Sequence, residues 1–132
     1  MTDATTIVRE SMPLCATLGV EASELGADRC VLTLAWRPEL CTTGGSMHGG
    51  ALMALADSAG AAVAFANLPE GAVGTSTIDS QTNLLAAVRE GTATATATAL
   101  HVGASTIVVE TEVRRDDGRL AAKTTQTQIV LR

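Results

Sequence analysis

From Gly91 to Leu100 the chain reads "GTATATATAL", alternating small apolar and polar residues almost without a break. That period of two predicts a half-buried strand running on through "HV". "STIVVETEV" and "RLAAKTTQTQIVL" repeat the pattern on either side of "RDDG", whose Asp-Asp-Gly suits a hairpin turn. A further strand is expected from Ser76 to about Val88. Earlier, "GVEASELGADRCVLTLAW" reads as a hairpin of Val20–Leu25 and Cys30–Trp36 around Gly26-Ala27-Asp28. Between the two strand regions the period changes. Leu52, Leu55, Ala56, Ala59, Ala62, Val63 and Ala66 recur at helical spacing, predicting a helix from Gly49 to about Asn67. Small and apolar residues nearly encircle it, so it should be buried on most sides. Pro69 and Gly71 follow its end. At the start, Asp3 can cap a short helix reaching about Met12, with Pro13 ending it. A hairpin, a long buried helix and then an antiparallel meander make an α+β plan, not a doubly wound parallel sheet.

The 132 residues suit one domain, residues 1–132, and 46% are hydrophobic, which is enough for a core. Only Trp36 and Phe65 are aromatic. Ala, Val, Leu and Ile must build the core, and burial by self-association would help so small a domain. The net charge of −5 argues against a nucleic-acid partner, whose phosphates need Lys and Arg. Six of the nine basic residues lie after residue 88: Arg89, Arg114, Arg115, Arg119, Lys123 and Arg132. They could meet an anionic ligand or simply be solvated strand ends. Cys15, Cys30 and Cys41 fit neither a disulfide framework nor a CxxC metal site. The opening "MTDATTIVRESM" is too polar for a signal peptide, and the apolar run 51–66 is too short for a membrane span. A cytoplasmic protein without a membrane partner is expected.

One carboxylate interrupts the apolar helix. From Leu40 to Pro69, Asp57 is the only Asp, Glu, Lys or Arg. A carboxylate there can attack a carbonyl or activate a water to do so. Desolvation opposes its ionisation, and a hydroxyl donor such as Ser58 would favour it. His48-Gly49-Gly50 lies at the loop-to-helix junction. The first N–H groups of a helix lack internal partners, and two glycines leave them open to a carbonyl oxygen. Gly49 and Asp57 are eight residues apart, roughly 12 Å along a helix axis. One helix cannot bring both to one carbonyl. Two antiparallel copies about a two-fold axis can, so the spacing predicts a dimer with two sites across its interface. His101 stands alone on a strand, so no metal site is expected. Ser46 and Ser58 lie outside any G-x-S-x-G elbow. Met47 and Met53 read as core or tunnel lining.

The stretch "GSMHGGALMALADSA" resembles the signature of hotdog-fold acyl-CoA thioesterases, close to G-x-x-H-G-G-x-x-x-x-L-x-D. The resemblance is to the phenylacetate-degradation (PaaI-like) group, which includes 4-hydroxybenzoyl-CoA thioesterases. It spans roughly Gly19 to Leu131 and includes "HVG" and "RDDGRLAAKTTQT". It implies a hotdog fold, with the long helix wrapped by an antiparallel sheet. It also implies a dimer with one continuous sheet, often paired into a tetramer. By position, Asp57 matches the family's catalytic carboxylate. Gly49 matches the residue whose N–H polarises the thioester carbonyl, and His48 a supporting histidine. Thr77 matches a Ser/Thr position near the attacking water. Gly50, Ser58, Met47 and Ala61 are expected substrate contacts. Acyl-CoA is then the substrate, coenzyme A enters as part of it, and no cofactor is implied.

Three positions depart from the family pattern. Six residues before the histidine the family usually has Asn or Gln; here it is Thr42, with Thr43 and Cys41 beside it. Leu84-Leu85-Ala86-Ala87-Val88 replaces a segment like F-L-R-P-A. Ala61 stands where a related branch has Ser or Thr. Two other readings stay open: a non-catalytic acyl-CoA or lipid-thioester binder, and a hotdog enoyl-CoA hydratase or dehydratase.

Overall fold

The computed structural model describes residues 2–132. Asp3 caps α1 (Ala4–Ser11), its carboxylate accepting from the Thr6 N–H at 2.8 Å. α1 stops just before Pro13, as expected, but Pro13 does more than end it. It opens a second helix, α2 (Pro13–Leu18), at a first-turn position where its missing N–H costs nothing. Gly19, at φ +84°, turns the chain out of α2. The hairpin follows as β1 (Glu21–Leu25) and β2 (Cys30–Ala35). Residues 38–45 form two short 3-10 turns.

The long helix, α3 (Gly49–Phe65), buries Leu52, Leu55, Ala56, Ser58, Ala59, Gly60, Val63 and Ala64. The rest of the chain is strand: β3 (Gly74–Leu84), β4 (Thr92–Val102), β5 (Thr106–Arg114) and β6 (Leu120–Leu131). All six strands form one antiparallel sheet in the order β1-β2-β4-β5-β6-β3. This sheet around α3 is the hotdog plan. Only β4–β5–β6 is a meander. β3 does not pair with β4, as the expected meander required; it crosses to the far edge and pairs with β6, placing Thr77 opposite Gln128. It also ends at Leu84, short of Val88. The N–H groups of Leu85 and Ala86 both reach the Ala121 carbonyl, which breaks the ladder there. No helix among the described residues is long and apolar enough to cross a membrane.

Alternation assigns the inner face. Ala93, Ala95 and Ala97 of β4 are fully buried, as are Ile107, Val109, Thr111 and Val113 of β5. Their small side chains let the alanine-rich α3 lie close to the sheet. Leu55 is among the largest side chains at that contact and is fully buried. Leu55→Ala should therefore cost about 2–5 kcal/mol of stability, read by urea unfolding.

Candidate functional site

Asp57 emerges half-buried from α3 toward the inner face of β3 and β6. The Thr77 hydroxyl donates to its Oδ1 at 2.9 Å, and the Gln126 side-chain amide donates to the same oxygen at 2.9 Å. Gln126 Nε2 also lies 3.3 Å from Thr77 Oγ1, and the Gln128 amide donates to that hydroxyl. Gln126 and Gln128 are completely buried. Asp57 therefore meets polar donors on β3 and β6 rather than apolar side chains. Ser58 is not one of them. One residue further around the helix, it donates to the Ala54 carbonyl at 2.7 Å and faces Cys15 of α2.

The other half of the motif lies at the start of α3. His48 is the N-cap, and its Nδ1 accepts from the Gly50 N–H at 2.8 Å. The imidazole proton accordingly sits on Nε2. The cap consumes the Gly50 N–H, so Gly50 has no donor left for a substrate. Gly49 is the first helical residue, and its N–H has no acceptor among the described residues. It opens on a cleft of about 350 Å³ shared with Thr42, Ser46, Met47 and Leu84. Met47 is 2% exposed there and acts mainly as core.

Within one chain the expected residues fall into two groups. Thr42, Met47, His48 and Gly49 gather at the start of α3. Asp57 and Thr77 meet two turns further on. One turn past Asp57, Ala61 lines an apolar cavity of about 470 Å³ with Phe65, Met12, Leu25, Cys30 and Thr75. Burial pushes the Cys30 thiol up from its usual range. Several of the basic residues after position 88 are already engaged. Arg114 pairs with Glu112 and Lys123 with Glu110. Arg115 pairs with Asp117 and holds the carboxyl of Asp117 down at about 2. Arg132 donates to the Ala104 carbonyl. Arg89 and Arg119 make no side-chain hydrogen bond or ion pair among the described residues.

A family model described as "Thioesterase superfamily" matches residues 44–122, well over half of the chain and the whole span from His48 through Asp57 to Thr77. The chain belongs to the thioesterase superfamily. "Putative esterase ComA2" of Bacillus subtilis is 34% identical to this thioesterase-superfamily chain over 110 residues, covering 81% of it and 85% of the relative. The crystal structure of thioesterase HI1161 from Haemophilus influenzae superposes with a TM-score of 0.88 at 26% identity. It covers 99% of this chain and 92% of the other. The E. coli PaaI protein of the phenylacetic acid degradation operon shares the fold, with a TM-score of 0.85 at 22% identity, over 96% and 89% of the two chains.

The thioesterase motif alone did not point to Gln126, Gln128 or Gly60. A β-carbon on Gly60 would overlap the Gln126 side-chain oxygen, so the glycine is what lets that amide approach α3. A signal for the glutamines was present. In "TTQTQIVL" they share the phase of Thr124 and Val130, the inward face, where an amide must find a partner.

Proposed function

We propose that this protein hydrolyses an acyl-CoA thioester to the free acid and coenzyme A, with Asp57 as general base or nucleophile. The observation that carries this is the carboxylate itself: Asp57 is the only ionisable side chain on α3 and receives two side-chain donors on one oxygen. As a base, Asp57 takes a proton from water, whose oxygen attacks the thioester carbon. As a nucleophile, its oxygen forms an acyl anhydride that water then opens. Either way the C–S bond breaks and the thiolate leaves to be protonated. The Gly49 N–H, at the positive end of the α3 dipole, stabilises the oxyanion.

That N–H comes from a partner subunit in this reading, because Gly49 and Asp57 stand two turns apart on one helix. β3 supports a two-fold dimer: it is an edge strand with one free side, and Ile78, Leu84 and Leu85 are exposed along and just after it. Pairing two such edges gives a continuous sheet and covers apolar surface; two such dimers can pair into a tetramer. The apolar cavity beside Ala61 and Thr75 suits an aryl or medium-chain acyl group. Thr42, with a shorter side chain than an amide, lines the cleft at the Gly49 N–H and contacts the thioester or the water there. Coenzyme A is part of the substrate, no separate cofactor is used, and the site works in the cytoplasm.

The test is thiol release from aryl, short-chain and medium-chain acyl-CoAs, followed with a thiol reagent. Cys15 and Cys30 are buried and Cys41 is half-buried, so the protein blank should stay below one fast-reacting thiol per chain. Stoichiometric acid and CoA release is expected from at least one class. Tight binding without turnover across the panel would overturn hydrolysis in favour of a binding role. Hydration of an enoyl-CoA without CoA release would do so in favour of a hydratase.

A further inference from the structure

The buried amides of β6 form a device around Asp57, and its proton arrangement can be worked out atom by atom. An ionised carboxylate only accepts. The contact of 2.9 Å between Thr77 Oγ1 and Asp57 Oδ1 must then carry the threonine's single proton toward the aspartate. Thr77 has nothing left to donate. Gln126 and Gln128, which both approach its oxygen, must present their NH₂ groups to it. The same NH₂ of Gln126 also donates to Asp57 Oδ1. Turning the Gln126 amide over would set its oxygen against the carboxylate. The orientation that avoids this leaves Gln126 Oε1 buried without a partner, lying against Gly60. An unpartnered buried acceptor is costly. Its presence shows that the amide is held for its donor side.

Thr77 and Gln126 both donate to Oδ1, Gln128 holds the Thr77 oxygen from behind, and no described residue donates to Oδ2. We propose that Gln126 and Gln128 are positioning residues for Asp57. Together they fix Thr77 as a donor, immobilise Oδ1 and leave Oδ2 as the oxygen that meets water or the thioester carbon. Gly60 belongs to the same device as the gap through which Gln126 reaches the helix. The catalytic consequence rests on the thioesterase reading of Asp57; the hydrogen-bond arrangement itself does not.

Two kinds of measurement test it. In kinetics, Gln126→Leu should lower kcat about 10- to 100-fold, the worth of a hydrogen bond to a charged group, with KM within about two-fold. Gly60→Ala should also lower kcat, although alanine favours the helix, because its methyl group displaces the Gln126 amide. Gln126→Glu gives the readout that packing alone cannot produce. A neutral Glu donates to Asp57 as the amide did, whereas an ionised one repels it. Activity of this variant should fall as pH rises through the second titration of the carboxyl pair, where wild type stays active. In NMR of the unliganded protein, the Thr77 hydroxyl proton should exchange slowly and show NOEs to the Gln128 side-chain amide. That signal should vanish in Gln128→Leu. Gln126→Leu and Gly60→Ala enzymes within two-fold of wild-type kcat, or Gln126→Glu with the wild-type pH profile, would overturn the positioning role. Absence of the slow hydroxyl proton from wild type would overturn the arrangement. A slow hydroxyl proton in a protein that hydrolyses no acyl-CoA would leave the device standing and sink the thioesterase reading alone.

Discussion

Asp57→Asn should lower kcat for acyl-CoA hydrolysis by about 10³-fold or more while the protein stays folded. General-base catalysis is typically worth about 10²–10⁴-fold, and loss of a nucleophile at least as much. The substitution is close to isosteric. The asparagine carbonyl can still accept from the Thr77 hydroxyl and the Gln126 amide, so the buried network of α3, β3 and β6 survives. What is lost is the basicity and nucleophilicity of the free oxygen. The stability change should accordingly be about 1 kcal/mol, the scale of weakening a charge-assisted hydrogen bond to a neutral one. KM should move little, because Asp57 acts on the transition state rather than on the bound acyl-CoA. Steady-state kinetics and thermal unfolding measured together check this. A variant within ten-fold of wild type would remove Asp57 from the chemistry.

Gly49→Pro carries the second large effect. The substitution deletes the N–H assigned to the oxyanion and little else. Gly49 is the first residue of α3, where proline is well tolerated. The preceding His48 has φ −57° and ψ 135°, the extended conformation that a residue before proline prefers. The added ring meets only the far end of the flexible Leu84 side chain, which turns aside to admit it. Loss of one oxyanion donor typically lowers kcat about 10²–10³-fold, and that is the expected drop here, with stability nearly unchanged. The two variants also test the shared site. A hybrid dimer of one Asp57→Asn chain and one Gly49→Pro chain contains one site with both groups intact and one lacking both. Random mixing makes half of the dimers hybrid, so about a quarter of wild-type activity should return from two nearly inactive parents. No recovery in a verified mixture of dimers would mean that Gly49 and Asp57 do not serve one site across an interface.

Much of this fold can be read from residue periodicity. The alanines of β4 recur every second residue, and the apolar positions of α3 at helical spacing; each pattern states which face an element buries. Motif spacing carried comparable weight. The eight residues between Gly49 and Asp57 separate them along one helix whatever surrounds it. The ends and partners of elements were less legible. Pro13 reads as the stop of α1, which it is, but the second helix that it also begins was not legible. Ser58, adjacent to Asp57 in the chain, was the natural donor to it. The 100° step between helical neighbours turns it instead to the Ala54 carbonyl and α2.

The sequence by itself determined the elements, their buried faces and the isolation of one carboxylate on an apolar helix, because each depends on residues close together in the chain. Only the tertiary structure decided what surrounds that carboxylate. Alternation says that Gln126 and Gln128 face inward, but neither which face of β3 carries Thr77 nor which strands are neighbours. β3 had to cross the sheet and pair with β6 before Thr77 could meet Gln128, and Gly60 had to lie beneath Gln126 before the amide could reach Asp57. Such contacts join residues 20 to 69 positions apart, and their pairing follows from closing the whole sheet around α3 rather than from any local pattern.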